Sequence, residues 1–75
     1  MKYVKELSLE SIYSLTNKKL RFKSDCEFFP NFDVKCKVIS VTQRSNEILF
    51  NVIAYPTNKH LTIGSNMKNL RFEFI

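Results

Sequence analysis

The side chains that could take part in chemistry are few, and their types and spacing argue against catalysis. His60 is the only side chain that titrates near neutral pH without help from its surroundings, and the apolar pattern around it should point it to solvent. Cys26 stands between Asp25 and Glu27, whose negative charges disfavour the thiolate that a reactive cysteine needs. The seven carboxylates are scattered singly, and a single glycine cannot build a phosphate-binding loop. We therefore expect a protein that is not an enzyme and has no catalytic residue.

The two cysteines, Cys26 and Cys36, could form at most one disulfide, and nothing in the sequence decides whether they ever pair. We expect two buried or half-buried thiols, because a secreted domain of this size usually carries several disulfides. The cysteine spacing is not that of a zinc site, and His60 is the only imidazole that could act as a further ligand. The sequence therefore predicts no metal ion and no small-molecule cofactor.

The composition is that of a small, basic globular protein. Its 75 residues allow one domain, spanning residues 1–75, since so short a chain can build only one core. No run approaches the roughly 20 apolar residues of a membrane helix, and charged residues begin at Lys2. We therefore expect a soluble protein with a cytoplasmic location and no membrane partner. Twelve Lys and Arg against seven Asp and Glu give a net charge of +5 and a pI near 9.4, which favours polyanionic partners.

The periodicity of the apolar residues predicts one short helix followed by five strands. Ser8 is a suitable N-cap, and Asn17 can end the helix in a left-handed conformation. Between them, Leu9, Ile12, Tyr13 and Thr16 follow helical spacing, and a helix of about two turns must dock on the rest of the protein. The predicted elements are a helix at about residues 8–16 and strands at about 19–23, 34–42, 47–55, 59–63 and 70–75.

Four features of the predicted strands and their connections bear on the arrangement of the sheet. The alternation slips at Val38–Ile39, which is typical of a β-bulge or a sharp bend. Residues 47–55 are apolar on both faces, so we expect a central strand whose second face the helix could cover. Pro30 cannot donate to a central ladder, and it should hold Phe29 in an extended conformation. The last strand, from Leu70, should turn its phenylalanines inward.

A long early connection, a bent second strand, two tight hairpins and one helical turn at residues 65–69 form a recognisable order. Over residues 18–75 this layout resembles the small five-stranded antiparallel barrels of the Src-homology-3-like architecture, here with an added N-terminal helix. We therefore predict a mainly β fold of this kind. The alternatives are an oligonucleotide-binding-type barrel, disfavoured because the short strands leave no room for its internal helix, and an α+β fold.

The first two predicted strands carry cations at alternate positions, which places these cations on one outer face. Like charges opposite one another cost stability, so the cluster needs solvent, salt or a phosphate-bearing ligand to offset it. The connection between the two strands is rich in phenylalanine, and consecutive phenylalanines cannot both enter one small core. The predicted binding residues are Lys19, Arg21, Lys23, Lys35, Lys37, Arg71, Phe28, Phe29 and Phe32.

Two functions fit this pattern. The first is a nucleic-acid-binding module, because exposed aromatic rings stack on bases with about 1–3 kcal/mol each while cations pair with phosphates. The second is a protein-binding module or inhibitor encoded by a phage or mobile element, with Phe29 as a buried anchor and the cations meeting an acidic surface of a host protein. A third interpretation stays open, in which the phenylalanines plug the barrel and the lysines are only solvated. The sequence does not choose between DNA, RNA and protein, and it leaves the oligomeric state open.

Overall fold

The computed structural model describes residues 1–29 and 31–75, and in that part of the chain the protein is mainly β. Six antiparallel strands form one open sheet in the order β1-β6-β2-β3-β4-β5. This confirms the mainly β prediction, while the prediction for Pro30 lies outside the described residues. The elements are β1 (Lys2–Tyr3), a 3-10 helix (Val4–Glu6), α1 (Leu9–Tyr13), β2 (Lys19–Ser24), β3 (Phe32–Arg44), β4 (Glu47–Ala54), β5 (Lys59–Gly64) and β6 (Arg71–Phe74).

The strands β2 to β6 lie within two residues of the ranges expected from the alternating pattern, whereas β1 has no counterpart there. Two residues are too few to show an alternation, so β1 is visible only through its pairing with β6. The turn expected at residues 65–69 is not a single helical turn. It consists of two successive turns, closed by hydrogen bonds from the Met67 amide to the Gly64 carbonyl and from the Leu70 amide to the Met67 carbonyl, both 3.2 Å long.

The helix α1 is shorter than expected, and its inward face is different. Ser8 does cap it, because the Ser8 hydroxyl accepts a hydrogen bond of 3.2 Å from the Ser11 amide. Leu9 and Tyr13, however, are 51% and 43% exposed, so of the residues at helical spacing within α1 it is Ile12 that docks in the core. The helix ends at Tyr13, and the turn that follows it brings Leu15 into the core.

The predicted slip in β3 is a β-bulge. The pairing of β3 with β4 runs through Val38 and Val52 and then resumes at Ser40 and Asn51, which leaves Ile39 as the extra residue. Residues 32–37 of β3 pair with β2, whereas residues 36–44 pair with β4. One long strand therefore serves two parts of the sheet, and the bulge lies where it passes from one to the other.

The sheet folds over at this bulge. Phe22 lies opposite Val34, and Phe50 lies opposite Val41, seven residues further along β3. If β3 were straight and the sheet flat, these two phenylalanines would be separated by about 23 Å along the strand direction. Their ring centroids are 5.1 Å apart, so the inner faces of the two parts meet. A strand that turns a corner at a bulge allows a single sheet to fold over in this way.

The core fills the space between the two inner faces and is closed at one end by the N-terminal segment. The Val4 amide donates a 3.0 Å hydrogen bond to the Leu70 carbonyl, which fixes the 3-10 helix across this end. Ile12 of α1 belongs to the same buried core, so α1 packs on the inner side of the sheet. The prediction that the helix could cover the second face of β4 is therefore wrong. The buried core consists of Val4, Ile12, Leu15, Leu20, Phe22, Cys36, Val38, Ile48, Phe50, Val52, Ile63, Leu70 and Phe72.

The ends and edges of the sheet remain open. Phe74, which the pattern places inward, is 64% exposed, and the pairing of β1 with β6 reaches only as far as Phe72. Within residues 1–29 and 31–75, no strand pairs with the outer edge of β1 or of β5. A search of the same residues finds no helix with both the length and the apolar character needed to cross a bilayer.

Candidate functional site

The six cations expected to share one face do share it. On β2, Leu20 and Phe22 fill the core, so the residues between them point outward, and the same alternation holds on β3 and β6. We call this surface, formed by the outer sides of β6, β2 and residues 32–37 of β3, the basic face. Its cations form three cross-strand pairs, which are Lys19–Lys37, Arg21–Lys35 and Lys23–Arg71.

Arg21, at the centre of the basic face, is held by two carboxylates. Its Nε and Nη2 atoms donate hydrogen bonds of 2.7 and 2.6 Å to the two oxygens of Asp33, and Nη1 lies 3.4 Å from Glu73. The hydrogen bonds from Arg21 hold the pKa of Asp33 below its ordinary value, and Asp33 in turn raises the pKa of Arg21. This two-point geometry is the strong form of a carboxylate pair. Arg21 is therefore occupied within the protein.

Arg71 is occupied in a similar way. Its Nη1 atom donates to Asp25 at 3.2 Å and to the Asn69 carbonyl at 3.0 Å. The Asn69 side-chain amide donates to the other Asp25 oxygen at 3.0 Å, so the three residues form a closed network. The pKa of Asp25 is lowered, first by the Asn69 amide and then by Arg71. Sequence reasoning missed these carboxylate partners, although Asp33 shares the strand alternation of Lys35 and could have been placed on this face.

Four lysines of the basic face form no ion pair among the described residues, although Lys23 lies opposite Asp33 and, with Lys35, helps Arg21 to lower the pKa of Asp33. Among the described residues, ion pairs on this face involve only the two arginines. Lys19 and Lys35 are exposed, and Lys23 and Lys37 are half-buried. The six cations outnumber the three carboxylates that pair with them, so the basic face carries an excess of three positive charges. The free positive charge therefore belongs to the lysines and not to the arginines.

The aromatic residues of the predicted site are divided between two environments. Phe28 and Phe29 are 87% and 62% exposed, at a turn closed by a 3.2 Å hydrogen bond from the Phe29 amide to the Cys26 carbonyl. We call these two residues the aromatic tip. Phe32 instead begins β3 opposite Ser24 and packs against the core. It is therefore a structural residue, and only the aromatic tip is available to a partner.

Acidic residues lie between the aromatic tip and Lys23, the basic-face lysine nearest to the tip in the chain. The residues next to the tip include Asp25 and Glu27, which are acidic and exposed. Lys19, opposite Lys37, lies at the far end of β2, about 13 Å beyond Lys23 if the strand is extended. The structure thus separates two features that the sequence suggested as neighbours.

A different aromatic residue lies beside the lysines. The Tyr55 amide donates a 2.8 Å hydrogen bond to the Lys35 carbonyl, which extends the pairing of β4 with β3. Tyr55 is 38% exposed and lines a shallow groove with Arg21 and Lys35. Ile53 follows in the row that contains Lys19 and Lys37. Sequence reasoning missed this neighbour, although the alternation of β4 places Tyr55 and Ile53 on the same outer face.

The groups that could react are either buried or isolated. Burial raises the pKa of the Cys36 thiol to about 11, whereas Cys26 is half-buried, and both thiols are free. His60 is exposed on β5. In the part of the chain that the structure describes, no three His, Cys, Asp or Glu side chains come together in a way that could hold a metal ion.

Comparison with known proteins returns no relative. The chain matches no protein-family model, no curated protein and no solved structure. Its function is therefore inferred from the charges and side chains of the basic face.

Proposed function

We propose that the protein is a non-enzymatic module that binds single-stranded nucleic acid through the basic face. One observation carries this proposal. Lys19 and Lys37 lie directly opposite each other, with Lys35 next in line, and no carboxylate pairs with them although three carboxylates serve the same surface. Directly opposed side chains have Cβ atoms about 4.5–5.5 Å apart, so the like charges destabilise the sheet. A row of phosphates removes that repulsion and gives these lysines a partner.

Tyr55 adds the second component of such a surface. It lies beside Lys35 in a shallow groove and is 38% exposed, so part of this aromatic residue is accessible to a base. Stacking contributes about 1–3 kcal/mol per base and tolerates any sequence. The major groove of a duplex admits a helix or a two-stranded ribbon, whereas the basic face is the outer side of three neighbouring strands of a wider sheet. These features favour single strands without sequence preference.

The salt dependence of binding tests the proposal on the native protein. If the four free lysines each contact a phosphate of a single strand, the logarithm of the affinity falls with that of the salt concentration with a slope of about −2.8. Between 50 and 200 mM salt this slope corresponds to a loss of about 50-fold. Fluorescence anisotropy with labelled single-stranded DNA, single-stranded RNA and duplex DNA measures it. Absence of binding to either single strand at low salt would overturn the proposal.

A matched pair of variants separates the basic face from net charge. The triple variant Lys19→Gln, Lys35→Gln, Lys37→Gln removes three free charges from the basic face. The control variant Lys5→Gln, Lys59→Gln, Lys68→Gln removes three exposed charges elsewhere, so both proteins change from +5 to +2. We expect the first variant to lose most of the salt slope, falling to about −0.7, and the control to keep it. Equal losses in both variants would mean that net charge, and not this surface, holds the nucleic acid.

A second candidate function, protein binding or inhibition, is favoured by the aromatic tip. Two consecutive phenylalanines that are 87% and 62% exposed have the form of an anchor for a pocket on another protein. The double variant Phe28→Ser, Phe29→Ser tests this function, because it removes both rings of the tip and leaves the four lysines of the basic face in place. It should abolish capture of a host protein from a nuclease-treated lysate and leave nucleic-acid binding unchanged. An origin in a phage or mobile element, an acidic host surface as the partner and a cytoplasmic location stay predictions.

We also propose that β2 to β6 form a barrel of the Src-homology-3-like kind, with the N-terminal helix as an addition. Support comes from the bulged strand that serves both parts of the sheet, from the long connection after β2, and from the contact between Phe22 and Phe50. An NMR structure tests this proposal. Contacts between the aromatic protons of Phe22 and Phe50 are expected, and a flat sheet without them would contradict it.

A further inference from the structure

The two edges of the sheet differ in how they are protected. The β1 edge has only two residues, Lys2–Tyr3, and the chain leaves it at once for the 3-10 helix. The β5 edge has six residues, Lys59–Gly64, and within residues 1–29 and 31–75 no other segment pairs with its outer side. A long edge strand presents unpaired backbone groups that can template another strand. The β5 edge is therefore the place where this sheet can be extended.

The hydrogen bonds around β4 show which backbone groups of β5 are free. The Ser65 amide donates to the Ile48 carbonyl at 2.8 Å, so this pair is of the hydrogen-bonded type. Such pairs alternate along an antiparallel ladder, so Ile63, Leu61 and Lys59 turn their backbone groups toward β4. The intervening residues turn theirs outward. The outward residues are His60, Thr62 and Gly64.

The side of β4 that faces β3 gives the same result independently. The Tyr55 amide donates to the Lys35 carbonyl at 2.8 Å, which places the backbone groups of Tyr55 and Ile53 toward β3. The alternate residues of β4, which include Val52 and Ala54, are left to pair with β5. Both ends of the ladder thus assign the same free groups to the β5 edge.

We propose that the β5 edge binds the β5 edge of a second copy of this chain, antiparallel about a two-fold axis that passes between the two Thr62 residues. In this register Thr62 lies opposite Thr62 of the second copy, and His60 lies opposite Gly64 of the second copy. Each of these pairs joins residues whose backbone groups point outward, so each can exchange two hydrogen bonds. The pairing uses all the free groups of the edge.

The side chains of β5 are compatible with this register. On the inner side, Leu61, which is 38% exposed, meets Ile63 of the second copy and gains apolar cover. On the outer side, threonine faces threonine, which is a favourable cross-strand pair. His60 faces Gly64 of the second copy, a glycine over which the Glu47 carboxylate of that copy lies. The edge is therefore complementary to itself, as a two-fold interface requires.

The charges of the edge also permit the pairing. Lys59 is the charged residue of β5, and this register places it opposite Ser65 of the second copy. The two Lys59 residues are then about 20 Å apart along the strands, beyond the screening length of about 8–10 Å at moderate salt. The net charge of +5 still makes two copies repel each other when salt is low. Association through β5 should therefore strengthen as salt rises, opposite to nucleic-acid binding, and it does not rest on that function.

Sedimentation velocity on the native protein tests the inference over about a hundredfold range of concentration, at low and high salt. We expect a monomer–dimer equilibrium that shifts toward dimer with concentration and with salt. Amide hydrogen exchange locates the contact, because the free amides of His60, Thr62 and Gly64 should exchange quickly in the monomer and slow down in the dimer. A protein that stays monomeric throughout, or a dimer in which these three amides are not slowed, would overturn the inference.

Substitutions at the two-fold axis supply the matched control. Thr62→Lys places two ammonium groups opposite each other and should abolish the dimer. Thr62→Val loses the same side-chain hydrogen bond to Asn51, 3.3 Å long in the native protein, but adds no charge and should keep the dimer. Thr42→Lys adds the same charge on β3 and should also keep it. Equal dimerisation of Thr62→Lys and Thr62→Val, with both folded by circular dichroism, would contradict the proposed axis.

Discussion

The two halves of the folded sheet share one core but have different outer surfaces. The first half consists of β1, β6, β2 and residues 32–37 of β3, and its outer surface is the basic face. The second half consists of the rest of β3 with β4 and β5. At its centre the Asn51 side chain donates to Ser40 at 3.0 Å and accepts from Thr62 at 3.3 Å, which forms an uncharged polar ladder. The strands are alike, and the difference lies in the residues at the outward positions.

This difference separates the two proposed interactions by their response to salt. The first half has a two-residue edge strand and a charged face, so screening by salt weakens its binding to a partner. The second half has a long, open edge with little charge, so its binding to a partner depends on backbone hydrogen bonds and apolar contact. Each interaction can be removed without the other because different residues carry it, although His60 lies in the same cross-strand row as Lys19 and Lys37.

The largest expected effect comes from breaking the contact that joins the halves. Phe22 is fully buried, with ring centroids 5.1 Å from Phe50 and 6.4 Å from Phe72. Phe22→Ala should lower the free energy of unfolding by about 3–5 kcal/mol. Urea denaturation followed by circular dichroism measures this change. Because a domain of this size has a free energy of unfolding of only about 5–10 kcal/mol, both halves should lose structure together.

Two further variants keep this prediction testable if Phe22→Ala does not fold. Phe22→Leu retains apolar bulk and should lower the free energy of unfolding by about 1–2 kcal/mol. Phe74→Ala removes a ring that is 64% exposed and should change it by less than about 1 kcal/mol. If Phe22→Ala were no more destabilising than Phe74→Ala, the two halves would not depend on this contact.

A smaller effect is expected from Lys37→Glu, which should raise the stability of the fold and lower its affinity for nucleic acid. Lys37→Glu turns the like-charged pair with Lys19 into an attractive one, so the free energy of unfolding should rise by about 0.2–1 kcal/mol. Binding of single-stranded nucleic acid should fall in the same variant. Lys59→Glu makes the same charge change opposite Ala54 and should produce neither effect. A loss of stability in Lys37→Glu would show that Lys37 has a partner within the protein.

The smallest expected effect is acid destabilisation of the first half. The pKa values of Asp25 and Asp33 lie below the ordinary aspartate value of 3.8. A carboxyl whose pKa is lower in the folded state stabilises the fold above its unfolded pKa, and this contribution is lost as the pH falls through the folded pKa. Stability should therefore decline as the pH falls below about 3.8. Carbon-detected NMR titration measures both groups, and Asp33→Asn should remove the Asp33 part.

The parts of the fold that depend on residues close together in the sequence were predictable. The slip at Val38–Ile39 marks the bulge because the apolar residues of this strand face the core at every second position. One extra residue shifts these apolar positions by one, and the shift is visible in the sequence. The cap at Ser8 follows from short-range hydrogen bonding. The exposure of Leu9 and the existence of β1 were not predictable, since both depend on how the N-terminal segment meets Leu70, more than sixty residues away in the chain.

The candidate site was predictable in its placement and not in its charge balance. Alternation alone brought the six cations to one face. Whether a given cation is free depends on register and rotamer, and these let Asp33 and Glu73 reach Arg21 while no carboxylate pairs with Lys19. The position of Phe32 also depends on register. A shift of one residue in the pairing of β3 would move its ring to the other side of the sheet.

The unequal burial of the two thiols gives the protein a selective point of attachment for a reporter. Cys36 is fully enclosed and its raised pKa keeps it protonated, whereas Cys26 is partly accessible and lies two residues from Phe28. A maleimide dye should therefore react at Cys26 alone, in the wild-type chain. Its emission would then report directly on whether the aromatic tip is covered when nucleic acid, a host protein or a second copy is added.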